Sequence, residues 1–201
     1  KVDLDGYLKD SCEVYVYGSP DFTFEDFCGD KLGDVKKKYP QMITDTGEDI
    51  IKISDYNRLM KLYGRKQYTL ASDEYMVIAD FDNMMQLRDE VLSSGQTIEV
   101  FGSTLKPKYR KCQEGFLDIS AQSLNTGIIL VPDDVVQEKW IKQDCLFGNY
   151  KASAKQEVRR LEDELRKLPL KSTCIYASKQ EIADASLGLS AMVTFIGLYL
   201  G

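Results

Sequence analysis

Asp49-Ile-Ile-Lys-Ile-Ser-Asp-Tyr-Asn-Arg-Leu-Met-Lys-Leu-Tyr-Gly64 is the stretch on which the fold turns. Asp49 to Ser54 is short and rich in isoleucine, which suits a strand. It feeds directly into a helix over Ser54–Tyr63, whose exposed first N–H groups Ser54 or Asp55 can satisfy. Gly64 closes that helix, because glycine adopts positive φ without a Cβ clash. The pattern then repeats. Tyr75-Met-Val-Ile-Ala79 reads as a strand, and Phe81–Ser93 as a helix with Met84, Leu87, Val91 and Leu92 on one face.

Working outward, Cys12-Glu-Val-Tyr-Val-Tyr-Gly18 alternates and is rich in β-branched and aromatic residues, so a strand ending at Gly-Ser-Pro is expected. Phe22–Tyr39 reads as a helix interrupted around Gly29 and Gly33. Between Gly95 and Val131 the period shifts toward two. Strands at 97–102, 105–111, 116–120 and 127–131 suggest a small antiparallel sheet or partial barrel over about 95–131. Asp133 or Asp134 would cap a helix over Val135–Lys142. Ala152–Leu168 has Val158, Leu161, Leu165 and Leu168 as a narrow coiled-coil-like seam, stopped by Pro169. Thr173–Ala177 reads as a last strand, and Ser178-Lys-Gln-Glu181 as a capping box opening another helix. The fold expected is α+β, mixed, with helices flanking the sheet, in one domain or two interleaved lobes over residues 1–186.

Composition narrows the function. The chain has 201 residues, 26 Lys+Arg and 32 Asp+Glu, for a net charge of −6. Nucleic-acid binding is disfavoured, since phosphate contacts need clustered cations. There is no histidine, so histidine-dependent triads and histidine metal sites are excluded. Cys12, Cys28, Cys112, Cys145 and Cys174 are odd in number and contain no CxxC pair, which points to free thiols packed as small apolar residues.

The first residue is Lys1, no secretory leader is evident, and the expectation is a piece of a longer protein. Ala185–Gly201 carries no charge. As a helix it would extend about 25 Å, a little short of the roughly 30 Å hydrocarbon core. Gly188, Ser190, Ala191, Thr194 and Gly197 supply the small side chains that favour helix packing in lipid. Residues 187–201 therefore read as the start of a truncated transmembrane helix continuing from Ser178, or as a buried helix of a soluble core.

The strand-to-helix unit Ile50–Leu59, the strand Asp73–Ile78, the strand Gly127–Asp133 and the ending Met192–Gly201 together resemble the large extracellular domain of FtsX-like ABC-transporter permeases of the bacitracin and antimicrobial-peptide resistance type. That resemblance implies a non-catalytic, cofactor-free domain on the outer face of the cell membrane. It also implies a cytoplasmic ATPase subunit as partner, a membrane histidine kinase that reads the transporter, and a ligand that is a cationic peptide antibiotic or a lipid-linked cell-wall precursor. The chain has no Gly-Lys-Ser/Thr phosphate loop, in keeping with hydrolysis elsewhere. Five cysteines depart from such domains.

Two clusters are candidate ligand sites. Asp21, Glu25, Asp26 and Asp30, followed by Asp45, Glu48 and Asp49, could draw in a cationic peptide. Lys106, Lys108 and Arg110 share one face if extended, and could hold a lipid pyrophosphate or lie on anionic headgroups. Each also has a plainer reading, as a solvated helix face and as edge-strand protection. Asp80, Asp82 and Asp89 lack the glycine and glutamate of a calcium loop, so no metal is expected. The 152–168 seam is either a stalk contact coupling domain tilt to the membrane or a core helix. The alternatives to the permease reading are a soluble peptide- or carbohydrate-binding module and a carboxylate-based hydrolase, for which no acid pair has a telling spacing.

Overall fold

Tyr75–Ala79 and Ile128–Val131 are buried at every position, which requires cover on both faces of a sheet. The structure, a computed structural model, supplies that cover. It describes residues 8–118, 125–151 and 155–167, together with 177–179, 182, 183, 186 and 187. The strands are β1 (Leu8–Tyr17), β2 (Asp49–Lys52), β3 (Glu74–Ala79), β4 (Ile98–Val100), β5 (Ser103–Pro107), β6 (Gln113–Glu114), β7 (Ile128–Val131) and β8 (Ile141–Tyr150). They form one open mixed sheet in the order β4-β5-β3-β7-β2-β1-β8, with β6 also on β3. β2 and β7 are parallel, β3 and β7 antiparallel, and β1 and β8 make a long antiparallel ribbon.

The helices are α1 (Phe24–Cys28), α2 (Leu32–Lys38), α3 (Ile53–Tyr63), α4 (Asp82–Ser93) and α5 (Lys155–Arg166). Strand alternation sorts the core into two layers. Tyr75, Val77, Ile129 and Val131 face Phe24 and Phe27 of α1 and Leu87, Val91 and Leu92 of α4. Met76, Ile78, Ile128 and Leu130 face Tyr56, Leu59 and Met60 of α3. The chain is therefore mixed α and β, as its pattern indicates. Antiparallel pairing within 95–131 occurs in the β4–β5 hairpin. The other strands of that segment continue into the larger sheet, because β5 and β6 both run parallel along one edge of β3 and β7 takes the opposite edge.

Several local expectations shift. The break after α1 falls at Gly29, with φ 50°, whereas Gly33 lies inside α2. Gly64 ends α3 in the left-handed conformation, φ 65° and ψ 33°. The start of α3 is capped from a distance, for the Ser54 amide donates to Asp133 Oδ1 at 3.1 Å. Val135–Lys142 is not a helix. It consists of 3-10 turns at Asp133–Val135 and Glu138–Trp140, with Val136 extended at φ −88° and ψ 139°, and then enters β8. Residues 116–118 form no strand. The expected strand Thr173–Ala177, the helix from Ser178 and the membrane segment 187–201 lie, apart from isolated positions, outside the described residues. Among the described residues no helix is long and apolar enough to cross a membrane.

Cys12, Cys28, Cys112 and Cys145 are free thiols. Burial lifts Cys28 and Cys112 to about 12 and Cys145 to about 11. At neutral pH these three are protonated and poorly nucleophilic.

Candidate functional site

Three chain segments converge beyond the end of β1. The first carries the predicted acids. The turn after β1 delivers Asp21, and Thr23 then caps α1: its hydroxyl accepts from the Asp26 amide at 3.4 Å, while Asp26 Oδ2 accepts from the Thr23 amide at 2.7 Å. This reciprocal box, with aspartate in the usual Glu/Gln place, pins Asp26 at the mouth of the helix. Glu25 is held by Lys36 at 2.8 Å and by the Thr44 hydroxyl, which donates to it at 2.6 Å. Those two contacts keep its carboxyl below the ordinary range.

The second segment is the β4–β5 hairpin tip. Phe101 and Gly102 both have positive φ, 52° and 81°, as a two-residue I′ turn requires. A phenylalanine there is sterically rare. Glu99 lies just before it. The third segment is the Glu138–Trp140 turn, tied to β1 by the Gly18 amide donating to the Trp140 carbonyl at 3.1 Å. The Lys139 ammonium sits 5.3 Å from the Trp140 ring centre.

Between these segments lies a cleft of about 750 Å³, whose lining includes Asp21, Glu25, Asp26, Glu99, Phe101, Lys139 and Trp140. Four carboxylates and one ammonium thus line it, and of the four Glu25 is already paired with Lys36. Among the described residues the side chains of Asp21 and Glu99 have no hydrogen-bond or ion-pair partner. A smaller cavity of about 370 Å³ shares Ser19, Lys139 and Trp140 with it and reaches Glu48. Glu48 is buried, and both its oxygens accept from Arg88 Nη2, at 3.0 and 2.9 Å. Burial raises the Glu48 carboxyl and Arg88 offsets part of that rise. Arg88 Nε donates to the Thr126 carbonyl at 2.8 Å, and its guanidinium lies 5.0 and 4.9 Å from the Phe24 and Phe27 rings. The helix that carries Glu25 and Asp26 is thereby seated on a buried ion pair.

Of the acids nominated from sequence, Asp21, Glu25 and Asp26 line the cleft, while Asp30 is exposed in the turn between α1 and α2 and does not. The basic candidates fare differently. Lys106 pairs with Asp73 at 2.6 Å, and Lys108 with Glu74 at 3.4 Å and the Thr69 carbonyl at 2.7 Å. The parallel register of β3 and β5, Glu74 beside Lys106, brings these carboxylates in. Arg110 follows in a bend, its Nη1 over Gly95, where a Cβ would come within 1.8 Å. Strand β5 ends at Pro107, so the three cations form no extended row. Asp80 and Asp89 accept from the backbone amides of Asn125 and Cys112, each at 2.7 Å, and Asp82 is exposed at the start of α4.

Glu99, Phe101 and Trp140 escaped the sequence reading, since only the fold brings residues so far apart together. A signal did exist in Phe101-Gly102, a two-residue turn ending in glycine between two short strands. Chemically, the cleft can concentrate a cation, grip it with charge-assisted hydrogen bonds and offer it aromatic faces. No family model, no curated protein and no solved structure matches this chain.

Proposed function

We propose that this chain is the outward-facing domain of an ABC-transporter permease and that it captures a cationic peptide antibiotic in the cleft of Asp21, Asp26 and Glu99. The observation that carries the capture reading is the charge of that cleft, where Asp21, Asp26 and Glu99 stand against the Lys139 ammonium while Glu25 is paired with Lys36. Such a field raises the local concentration of a polycation and speeds its encounter. The permease part rests on the resemblance of the Ile50–Leu59, Asp73–Ile78 and Gly127–Asp133 motifs and on the uncharged run Ala185–Gly201. In that setting a cytoplasmic ATPase subunit hydrolyses nucleotide, a membrane histidine kinase reads the occupied state, and this domain binds without catalysing.

Peptide is favoured over a pyrophosphate-bearing lipid as the direct ligand, because Lys106 and Lys108 are already neutralised by Asp73 and Glu74. The test is to titrate the chain with bacitracin-like and lantibiotic-like peptides, with and without lipid pyrophosphate, at low and high salt. Peptide binding that weakens with salt and needs no pyrophosphate is expected. Absence of binding at low salt would overturn the reading.

A further inference from the structure

We infer that the cleft selects guanidinium over ammonium, so that its ligand is an arginine-bearing peptide whose side chain lies on Trp140 and bonds to Asp21 and Glu99. The inference rests on the capture reading and narrows it to a ligand class. Three observations converge. First, the cleft combines carboxylates with two aromatic walls, Trp140 and Phe101; a purely electrostatic trap would not need the rings. Second, a cation already lies on the Trp140 face, where Lys139 Nζ is 5.3 Å from the ring centre and has no carboxylate partner among the described residues. The wall accepts positive charge even from a flexible side chain of the protein itself. Third, the carboxylates differ in availability. Glu25 is engaged by Lys36 and Thr44, and Asp26 by the Thr23 cap. Asp21 and Glu99 are exposed, come from different chain segments that line the cleft, and are the acids left to bond a ligand.

A guanidinium suits such a lining better than an ammonium does. It is planar, so it can lie flat on an indole while its edge donates to carboxylates, and it is more weakly hydrated, so leaving water costs it less. An ammonium is a strongly hydrated point charge that gains mainly from the field. Lys139 would move off the indole as the guanidinium arrives. Its removal should therefore tighten binding.

Trp140 is the single tryptophan in the chain, so intrinsic fluorescence reports directly on this wall. The 201-residue chain is titrated with two blocked tetrapeptides that differ only in carrying two arginines or two lysines, at low salt. The arginine peptide is expected to bind about fivefold more tightly, the increment of a cation–aromatic contact at a solvent-exposed site. Lys139→Ala should tighten it further, and Asp21→Asn with Glu99→Gln should abolish the preference. Trp140→Leu, followed by calorimetry, should weaken the arginine peptide more than the lysine peptide and so bring the two affinities together. Equal binding of the two peptides to the unaltered chain would overturn the guanidinium inference and leave cationic capture standing. Binding of neither peptide would overturn both.

Discussion

Arg88 shows how one residue can tie a site to a core. It is 3% exposed and Glu48 is 4% exposed; removing one partner strands the other as an uncompensated buried charge, whereas removing both does not. Glu48→Gln is expected to cost about 3–5 kcal/mol, read by urea unfolding. The double replacement Glu48→Leu with Arg88→Leu should cost much less than the sum of the single changes. Glycines give a second contrast. At Gly64, φ 65°, an added Cβ meets nothing within 4 Å, so Gly64→Ala measures left-handed strain alone, about 1 kcal/mol. At Gly127, φ 141°, the same Cβ would lie 2.0 Å from Arg88 Nε. Gly127→Ala should therefore lose more than about 3 kcal/mol, since it dislodges the buried pair. Gly64 was legible in the sequence as a helix stop, because the conformational rule is local. Gly127 was not, because its requirement comes from a side chain on α4.

The elements were legible where local pattern and tertiary demand agree. Tyr75–Ala79 and Ile128–Val131 are apolar at every position because both of their faces are covered, and a short apolar run reports that directly. Strand β8 was missed because Ile141–Asp144 are all exposed and carry no alternation, and Cys145 and Phe147, half-buried against the α3 layer, come only farther along. The spacing of Val135 and Val136 after two aspartates then suggested a helix. Asp133 does cap a helix, but that helix is α3, whose own Ser54 and Asp55 lie inside it. Asp133→Ala is thus expected to destabilise the fold by about 1 kcal/mol through α3, visible as lost amide protection at Ser54–Tyr56 in hydrogen exchange. The exposed ion pairs between elements predict a pH response. Lys36 depresses the Glu25 carboxyl and Lys106 depresses that of Asp73. A carboxyl whose folded pKa lies below its unfolded value stabilises the fold above the unfolded value, and that contribution disappears as pH falls through the folded one. Unfolding midpoints should therefore drop below about pH 4.5, from the ordinary carboxylate value. Lys36→Met and Lys106→Met should each flatten the drop slightly, because solvent screens these pairs.

At the scale of the whole molecule, the cleft exists because the sheet order separates chain neighbours and joins strangers. Asp21 leaves the end of β1, Glu99 and Phe101 come from the β4–β5 tip, and Trp140 precedes β8. A linear reading finds the acids that are clustered in sequence and has no means of adding the aromatic partners. The same consideration bears on α5, whose Val158, Leu161 and Leu165 seam can be either a contact for another subunit or part of the core. Leu161 is 1% exposed within this single chain, so the centre of the seam is filled without any partner, whereas Val158 and Leu165 remain half-buried. Packing a leucine to that degree and then truncating it costs about 2–5 kcal/mol. Leu161→Ala should accordingly lower the stability of the isolated chain by that amount in urea unfolding, while Leu165→Ala should cost clearly less. A seam used only for docking would give the opposite result, with an isolated chain indifferent to Leu161→Ala. The ordering of the two substitutions then decides whether domain tilt could be transmitted along α5 by a face still open to a neighbour, namely the Val158–Leu165 edge rather than the buried centre.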